Sequence, residues 1–274
     1  MEFKPYLIAF DMDGTLLTEK KTILRRTKRY LKKLIKQGHK IVLASGRPSR
    51  AMMSYYNELG LDTPLVCYNG AYVFSPKDPK FETIAFEFPH DVIIDVIQQI
   101  RPNIINVMCE DDENIWVDRQ DAYLDKFFWY ENMNIIYGDL AETLNKDPMT
   151  CIVKAPYEYR ETNEIENIME KYPGLSVRFW TGSPYFELYY TGISKGSAVK
   201  TIAKYYNIPK ERIIAFGDAG NDVEMFENAH ISVAMINGKN HKELNAKMLS
   251  FKDNDHNGIY HTLKHILREM ENEK

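Results

Sequence analysis

The chain predicts an α/β fold: a parallel sheet covered by helices, with an α+β domain inserted between its two halves. Three observations carry this. Short apolar runs alternate with helically spaced segments near the N-terminus, and the same alternation returns near the C-terminus. The stretch between them is richer in aromatic residues and strand-like segments. At 274 residues, with 44% apolar and 27% charged side chains, the chain has an ordinary globular composition and can bury a large core. Those proportions exclude a disordered chain, a collagen-like chain and a disulfide miniprotein.

The first strand is YLIAF (Tyr6–Phe10), an apolar run that ends at acidic residues and suits burial on both faces. Ile23–Gln37 has helical spacing, with Gly38 as its stop. KIVLAS (Lys40–Ser45) reads as a second buried strand, Pro48–Leu59 as a helix ending at Gly60, and PLVCY (Pro64–Tyr68) as a third strand. Asn69-Gly70 is a turn before AYVF. This βαβαβ order is the signature of a parallel sheet.

From Ile84 to Tyr190 the strand candidates are INVMCE, NIWVD, TCIVKA, SVRFW and YFELYY, with helical stretches between them. The α/β pattern then resumes: Ser194–Tyr206 is helical, Arg212–Gly217 a buried strand, Asp222–Asn228 a short helix and Ile231–Met235 another strand. Tyr260–Met270 is an amphipathic closing helix. The expected domains are therefore 1–83 with 191–274, and 84–190 inserted between them. Repeats and low-complexity linkers are absent from the sequence.

Net charge is −4, so no overall basic field draws the protein to nucleic acid. No apolar run approaches the roughly 20 residues of a membrane span, and the N-terminus does not read as a signal peptide. Cys67, Cys109 and Cys151 are odd in number, widely spaced and set in apolar surroundings. They are expected to be buried reduced thiols, and the protein cytoplasmic. No interface stripe indicates an oligomeric state.

The sharpest motif is FDMDGTLL, Phe10 to Leu17. A buried strand ends at Asp11, and Asp13 follows before Gly14. A carboxylate beside a core strand needs a partner, and ligands of open α/β sheets bind outside the carboxyl ends of strands. Read alone, Asp13-Gly14 is also compatible with a plain turn. A second acidic cluster, Gly217-Asp218-Ala219-Gly220-Asn221-Asp222, follows another buried strand, with Asp222 a capping candidate for the next helix. If the two strands are neighbours, Asp11 and Asp218 share a crevice, and hard oxygen donors there favour Mg²⁺ over Zn²⁺. Ala44-Ser45-Gly46-Arg47 offers a hydroxyl and backbone amides at a strand-to-helix turn, which suits an anion or serves simply as a cap. Lys195 opens a helix, where a cation is unfavourable against the dipole. It faces either an anionic ligand or solvent.

Together, DxDGT, the serine after the second strand, the lysine and GDxxND resemble the four motifs of the haloacid dehalogenase-like phosphatase superfamily. The long insertion matches the cap of its subclass IIB, the Cof-type proteins. The resemblance implies a Rossmann-like catalytic core over 1–83 and 191–274, with a specificity cap over 84–190. It implies Asp11 as nucleophile and Asp13 as general acid/base, with Ser45, Gly46, Lys195 and Asn221 around the phosphate. Mg²⁺ would lie on Asp11, Asp218 and the Asp13 backbone carbonyl, with Arg47 and Asp222 in support. The implied activity is a Mg²⁺-dependent phosphatase acting on a small phosphorylated metabolite, such as a sugar phosphate, through an aspartyl-phosphate. A phosphotransferase or phosphomutase would use the same chemistry, and a non-catalytic regulatory binding protein is the third reading. Both aspartates being present argues against the last.

Other features read as structural. DNDHNG (Asp253–Gly258) starts like a calcium loop, but Lys264 stands where a bidentate glutamate is required. The segment resembles the turn before the last helix in Cof-type proteins. His261 and His265 share a helical face without a third ligand. Glu110–Glu113 reads as a solvated turn, and Lys20–Lys36 as an exposed helix face. Trp116, Phe127, Trp129, Trp180 and Tyr185 are assigned mainly to packing, with one or two available to a substrate.

Overall fold

A computed structural model describes residues 4–121, 133–180, 182–239, 241 and 244–272. The chain divides into two compact units, one over 1–84 and 194–274, the other over Ala85–Ile193. Phe127 and Trp129 lie outside the described residues.

The first unit begins with β1 (Leu7–Phe10), α1 (Arg25–Lys36), β2 (Lys40–Leu43), α2 (Met53–Leu59), β3 (Leu65–Cys67) and β4 (Tyr72–Phe74). The two-residue β5 (Ile84–Ala85) closes this segment. The second unit holds α3 (His90–Ile100), β6 (Asn106–Glu110), β7 (Asn114–Val117), β8 (Asn134–Tyr137), α4 (Leu140–Thr143) and β9 (Thr150–Lys154). It ends with α5 (Glu164–Met169), β10 (Leu175–Phe179) and β11 (Tyr185–Tyr190). The first unit then resumes with α6 (Lys195–Tyr205), β12 (Ile213–Gly217), α7 (Val223–Glu227), β13 (Ile231–Ala234), β14 (Met248–Leu249) and α8 (Gly258–Asn272).

The main sheet runs β14-β13-β12-β1-β2, parallel throughout. Its central strands are apolar at every position because both faces are covered. Leu7 and Ala9 pack with residues of α6 and α7. Ile8 and Phe10 are equally buried and alternate with them, and the Phe10 ring stacks on Phe216 at 5.1 Å. Pairing of β1 with β12 sets Phe10 opposite Phe216, so the residues that follow each strand emerge side by side. This is the adjacency that the two acidic motifs required.

The third predicted strand is present as β3, but most of its pairing lies outside the main sheet. β3 pairs antiparallel with β4 and meets the main sheet through a single parallel bridge, Ala44 to Val66. An apolar triplet fits either arrangement, so periodicity did not separate them.

In the second unit the sheet order is β10-β11-β9-β6-β7-β8, antiparallel except for β7 with β8. One face, including Val107, Cys109, Trp116, Cys151 and Phe186, packs on Ile93, Val96 and Ile97 of α3 and Ile165 of α5. The other face carries Met108, Ile115, Ile152 and Tyr185, with Trp180 packed beside them. All three cysteines are buried, and none forms a disulfide. Glu110 departs from the solvated turn expected of it: it is the last residue of β6 and is buried, while Asp112 and Glu113 are exposed. Among the described residues, no helix is long and apolar enough to cross a membrane.

Candidate active site

Asp11 leaves β1 with its amide still in the sheet, donating to the Phe216 carbonyl at 2.9 Å. Its side chain is 8% exposed. Lys195 reaches it from the first turn of α6, with Nζ 2.6 Å from Asp11 Oδ1 and 2.7 Å from Asp222 Oδ1. Ser194 caps α6, accepting from the Ser197 amide, and Gly196 permits close packing: a Cβ there would stand 2.2 Å from the Glu224 carbonyl oxygen. The unfavourable position of a lysine at a helix N-terminus is thus offset by two carboxylates at contact distance.

Asp222 is completely buried. Its Oδ2 accepts from the amides of Asp218 and Ala219, at 2.9 and 3.1 Å. This corrects the capping expectation, since the side chain folds back over the preceding turn and makes no cap bond to α7. Gly217 leaves room for it: a Cβ would stand 2.4 Å from Asp222 Cγ. Asp218 accepts from the Thr15 hydroxyl at 3.0 Å. Gly14, at φ +77°, lies so close that a Cβ would come 2.4 Å from Asp218 Oδ2.

Asp11, Asp218 and Asp222 each offer an oxygen within 4.8 Å of the others. The Lys195 ammonium pairs with two of these three carboxylates, Asp11 and Asp222. Burial lifts Asp11 well above the ordinary carboxylate range, Lys195 opposes this, and Asp222 and Asp218 reinforce it. Burial and Asp222 push Asp218 up to about 6. Burial disfavours the charged Lys195, but Asp11 and Asp222 overcome it and hold the ammonium above its usual value. The donors are hard oxygens carrying uncompensated negative charge, which fits a small divalent cation. Asp222 joins this cluster, whereas the Asp13 side chain turns elsewhere.

Asp13 points to Arg47 and Lys21. Arg47 grips both oxygens, with Nε to Oδ2 at 2.5 Å and Nη2 to Oδ1 at 2.6 Å, and Lys21 Nζ lies 2.5 Å from Oδ1. Burial would raise this carboxyl, but the two cations overcome it and hold it below the ordinary range. Arg47 is itself buried, packed over the Tyr55 ring. The Tyr55 hydroxyl donates to the Lys21 carbonyl at 2.8 Å. Lys21 departs from the exposed helix face expected over Lys20–Lys36. Its φ of +57° lifts it out of that pattern, and no periodicity signals this.

Ser45 is buried behind β2. Its amide donates to the Val66 carbonyl at 3.0 Å, and its hydroxyl accepts from the Arg47 amide at 3.3 Å. Gly46 is exposed beside it. Asn221 donates from Nδ2 to Asn69 Oδ1 at 2.9 Å, which brings in a residue that sequence reading treated only as half of a turn. DNDHNG supports the loop after β1: Asn254 donates to the Leu17 carbonyl, and the Asp255 carboxylate accepts from the Glu19 amide. All of these residues belong to the first unit.

The sequence profile described as haloacid dehalogenase-like hydrolase matches residues 8–263. The chain is similar to the 5-amino-6-(5-phospho-D-ribitylamino)uracil phosphatase YitU of Bacillus subtilis, with 35% identity over 244 residues, 87% of this chain and 89% of the relative. It is also similar to the pyridoxal phosphate phosphatase YbhA of Escherichia coli, with 27% identity over 244 residues, 84% of this chain and 88% of the relative. Among solved structures, a haloacid dehalogenase-like hydrolase from Bacteroides thetaiotaomicron aligns with TM-score 0.79 and 26% identity, over 96% of this chain and all of the other.

Proposed function

The chain belongs to the haloacid dehalogenase-like hydrolase family, and we propose that this phosphoric monoester hydrolase is a Mg²⁺-dependent phosphatase of small phosphorylated metabolites, working through an aspartyl-phosphate on Asp11. The observation that carries this reading is the buried Asp11 carboxylate at the end of β1, with Lys195 on one oxygen and two further carboxylates beside it. Asp11, Asp218 and Asp222 would hold the ion, together with the Asp13 carbonyl implied by the family motif. When bound, Mg²⁺ offsets the negative charge that the carboxylates and a phosphate dianion bring together.

In the first displacement the Asp11 carboxylate attacks phosphorus and the substrate alkoxide leaves, taking a proton from Asp13. In the second, water attacks the same phosphorus, Asp13 accepts the water's proton, and Asp11 and inorganic phosphate are released. With both oxygens held by cations, Asp13 is in the ionised form that the second step needs. Donation to an alkoxide requires one oxygen to leave Arg47 or Lys21 and carry the proton. Lys195, the Ser45 hydroxyl, the Gly46 amide and Asn221 would bind the phosphate oxygens, and Arg47 and Asp222 would support them.

The unit over Ala85–Ile193 is the proposed selector of the leaving group. The phosphorylated ribityl chain named for the relative at 35% identity is the leading substrate class. Sugar phosphates and pyridoxal phosphate belong in the same panel. The buried cysteines, with no disulfide among them, fit a reducing compartment, and we place the enzyme in the cytoplasm. The test is release of inorganic phosphate from that panel with Mg²⁺ and with excess EDTA. Turnover in EDTA would remove the metal from the proposal, and transfer of the phosphoryl group to a sugar hydroxyl would favour phosphotransfer.

A further inference from the structure

The loop after β3 is more strained than a hairpin requires. Tyr68, Asn69 and Gly70 all have positive φ, at 46°, 54° and 103°. An Asn-Gly pair with two positive φ values closes a hairpin without further help. Tyr68 is a third such residue, and for a bulky side chain that conformation is an outlier. Strain of this kind persists only where the surroundings over-determine it, and it clusters at functional sites.

The surroundings are the candidate phosphate segments. The Tyr68 amide donates to the Arg47 carbonyl at 3.1 Å, and the Asn69 amide to the Ser45 carbonyl at 2.9 Å. The Asn69 carboxamide fills the space that Gly46 leaves open: a Cβ on Gly46 would stand 3.1 Å from its Nδ2. On its other side Asn69 Oδ1 accepts from Asn221 Nδ2 at 2.9 Å. Gly70 lies against the N-terminus of α6, where a Cβ would come 2.3 Å from the Ser194 carbonyl oxygen. One short loop therefore touches the turn after β2, the start of α6 and the turn after β12.

We propose that Asn69 is a positioning residue of the phosphate site, aligning Asn221 with the Ser45–Gly46 turn so that all three address one anion. The proposal rests on the reading of Ser45, Gly46 and Asn221 as phosphate ligands. An amide NH₂ has two donors. With one spent on Asn69, the direction of the other is set, and the Asn221 oxygen is kept away from the phosphate.

The test separates loss of the carboxamide from relief of backbone strain. Asn69→Gly and Asn69→Ala both remove the carboxamide, but only glycine accepts φ +54° without cost. The measurements are the inhibition constant of inorganic phosphate in the Mg²⁺-loaded protein, KM and kcat for p-nitrophenyl phosphate, and the melting temperature. Both variants should weaken phosphate binding by the same factor, about tenfold, the scale of a misdirected hydrogen bond to a charged group. KM should rise similarly, while Asn69→Ala melts below Asn69→Gly. In Asn69→Gly/Asn221→Ala the loss should equal that of Asn221→Ala alone, since Asn69 acts through Asn221. Phosphate binding within twofold of the parent in Asn69→Gly, or full additivity with Asn221→Ala, would overturn the proposal. If Ser45→Ala and Asn221→Ala both leave phosphate binding intact, the fault lies in the assignment of the phosphate site.

Discussion

Lys195→Met is the most diagnostic single change in the core. Methionine keeps much of the side-chain length but removes the one ammonium between Asp11 and Asp222, at 2.6 and 2.7 Å. The lysine side chain is 1% exposed, so water does not take over its role. Breaking a buried ion pair from one side costs about 3–5 kcal/mol, a large part of the 5–15 kcal/mol that typically holds a domain together. The sign follows from proton binding. Asp11 and Asp218 already bind protons at higher pH in the folded chain than in the unfolded one, and losing the lysine that opposes this strengthens the effect, so the variant regains more stability than the parent as pH falls. The parent has no such recovery through Lys195, whose raised value keeps its contribution intact until alkaline pH. Trp116 and Trp180 lie outside the first unit, so their fluorescence does not follow the relevant transition. Amide hydrogen exchange in β1 and β12 does. In EDTA at pH 8, protection there should drop sharply in Lys195→Met, and the gap should narrow at pH 5 and on adding Mg²⁺. Equal protection at pH 8, or a gap that does not narrow at pH 5, would refute the account of Lys195 as the charge that holds this cluster.

Two further predictions concern the reaction. Asp13→Asn should slow phosphoryl transfer from an alkyl phosphate by roughly 100- to 10,000-fold but affect p-nitrophenyl phosphate far less, with a burst of p-nitrophenol; equal loss on both in single-turnover kinetics moves the acid/base elsewhere. Mg²⁺ affinity should climb as pH rises through about 6, because Asp218 must lose its proton before it can bind a cation; a calorimetric titration that is flat between pH 5 and 7.5 would take Asp218 out of the ligand set.

Both termini of the chain were legible because buried parallel strands are unbroken apolar runs, and the residues that follow them in the crevice are charged. LIAF ends at Asp11 and IIAFG at Asp218, so the strand ends and the candidate ligands were read in one step. What escaped was non-local or conformational. NIIY, as β8, pairs parallel with β7 at the edge of its sheet with both ends exposed, and its pattern does not distinguish it from a loop. Lys21 belongs to a lysine-rich stretch, yet its φ of +57° and its bond to Asp13 arise from the loop after β1 rather than from the following helix.

Lys195 and Asn69 mark the two limits of such reading. A lysine at a helix N-terminus conflicts with the local dipole, and that conflict is visible in the sequence. Its resolution is not, because Asp11 and Asp222 lie 184 and 27 residues away along the chain. Asn69 carries no conflict at all, since Asn-Gly after a strand satisfies every local rule for a turn. The anomaly lies one residue earlier, in the φ of Tyr68, and in a partner 152 residues away. A residue whose local role is already explained therefore gives no signal of a second one. The strain in its neighbour is the physical trace that the loop is held by more than its own hairpin.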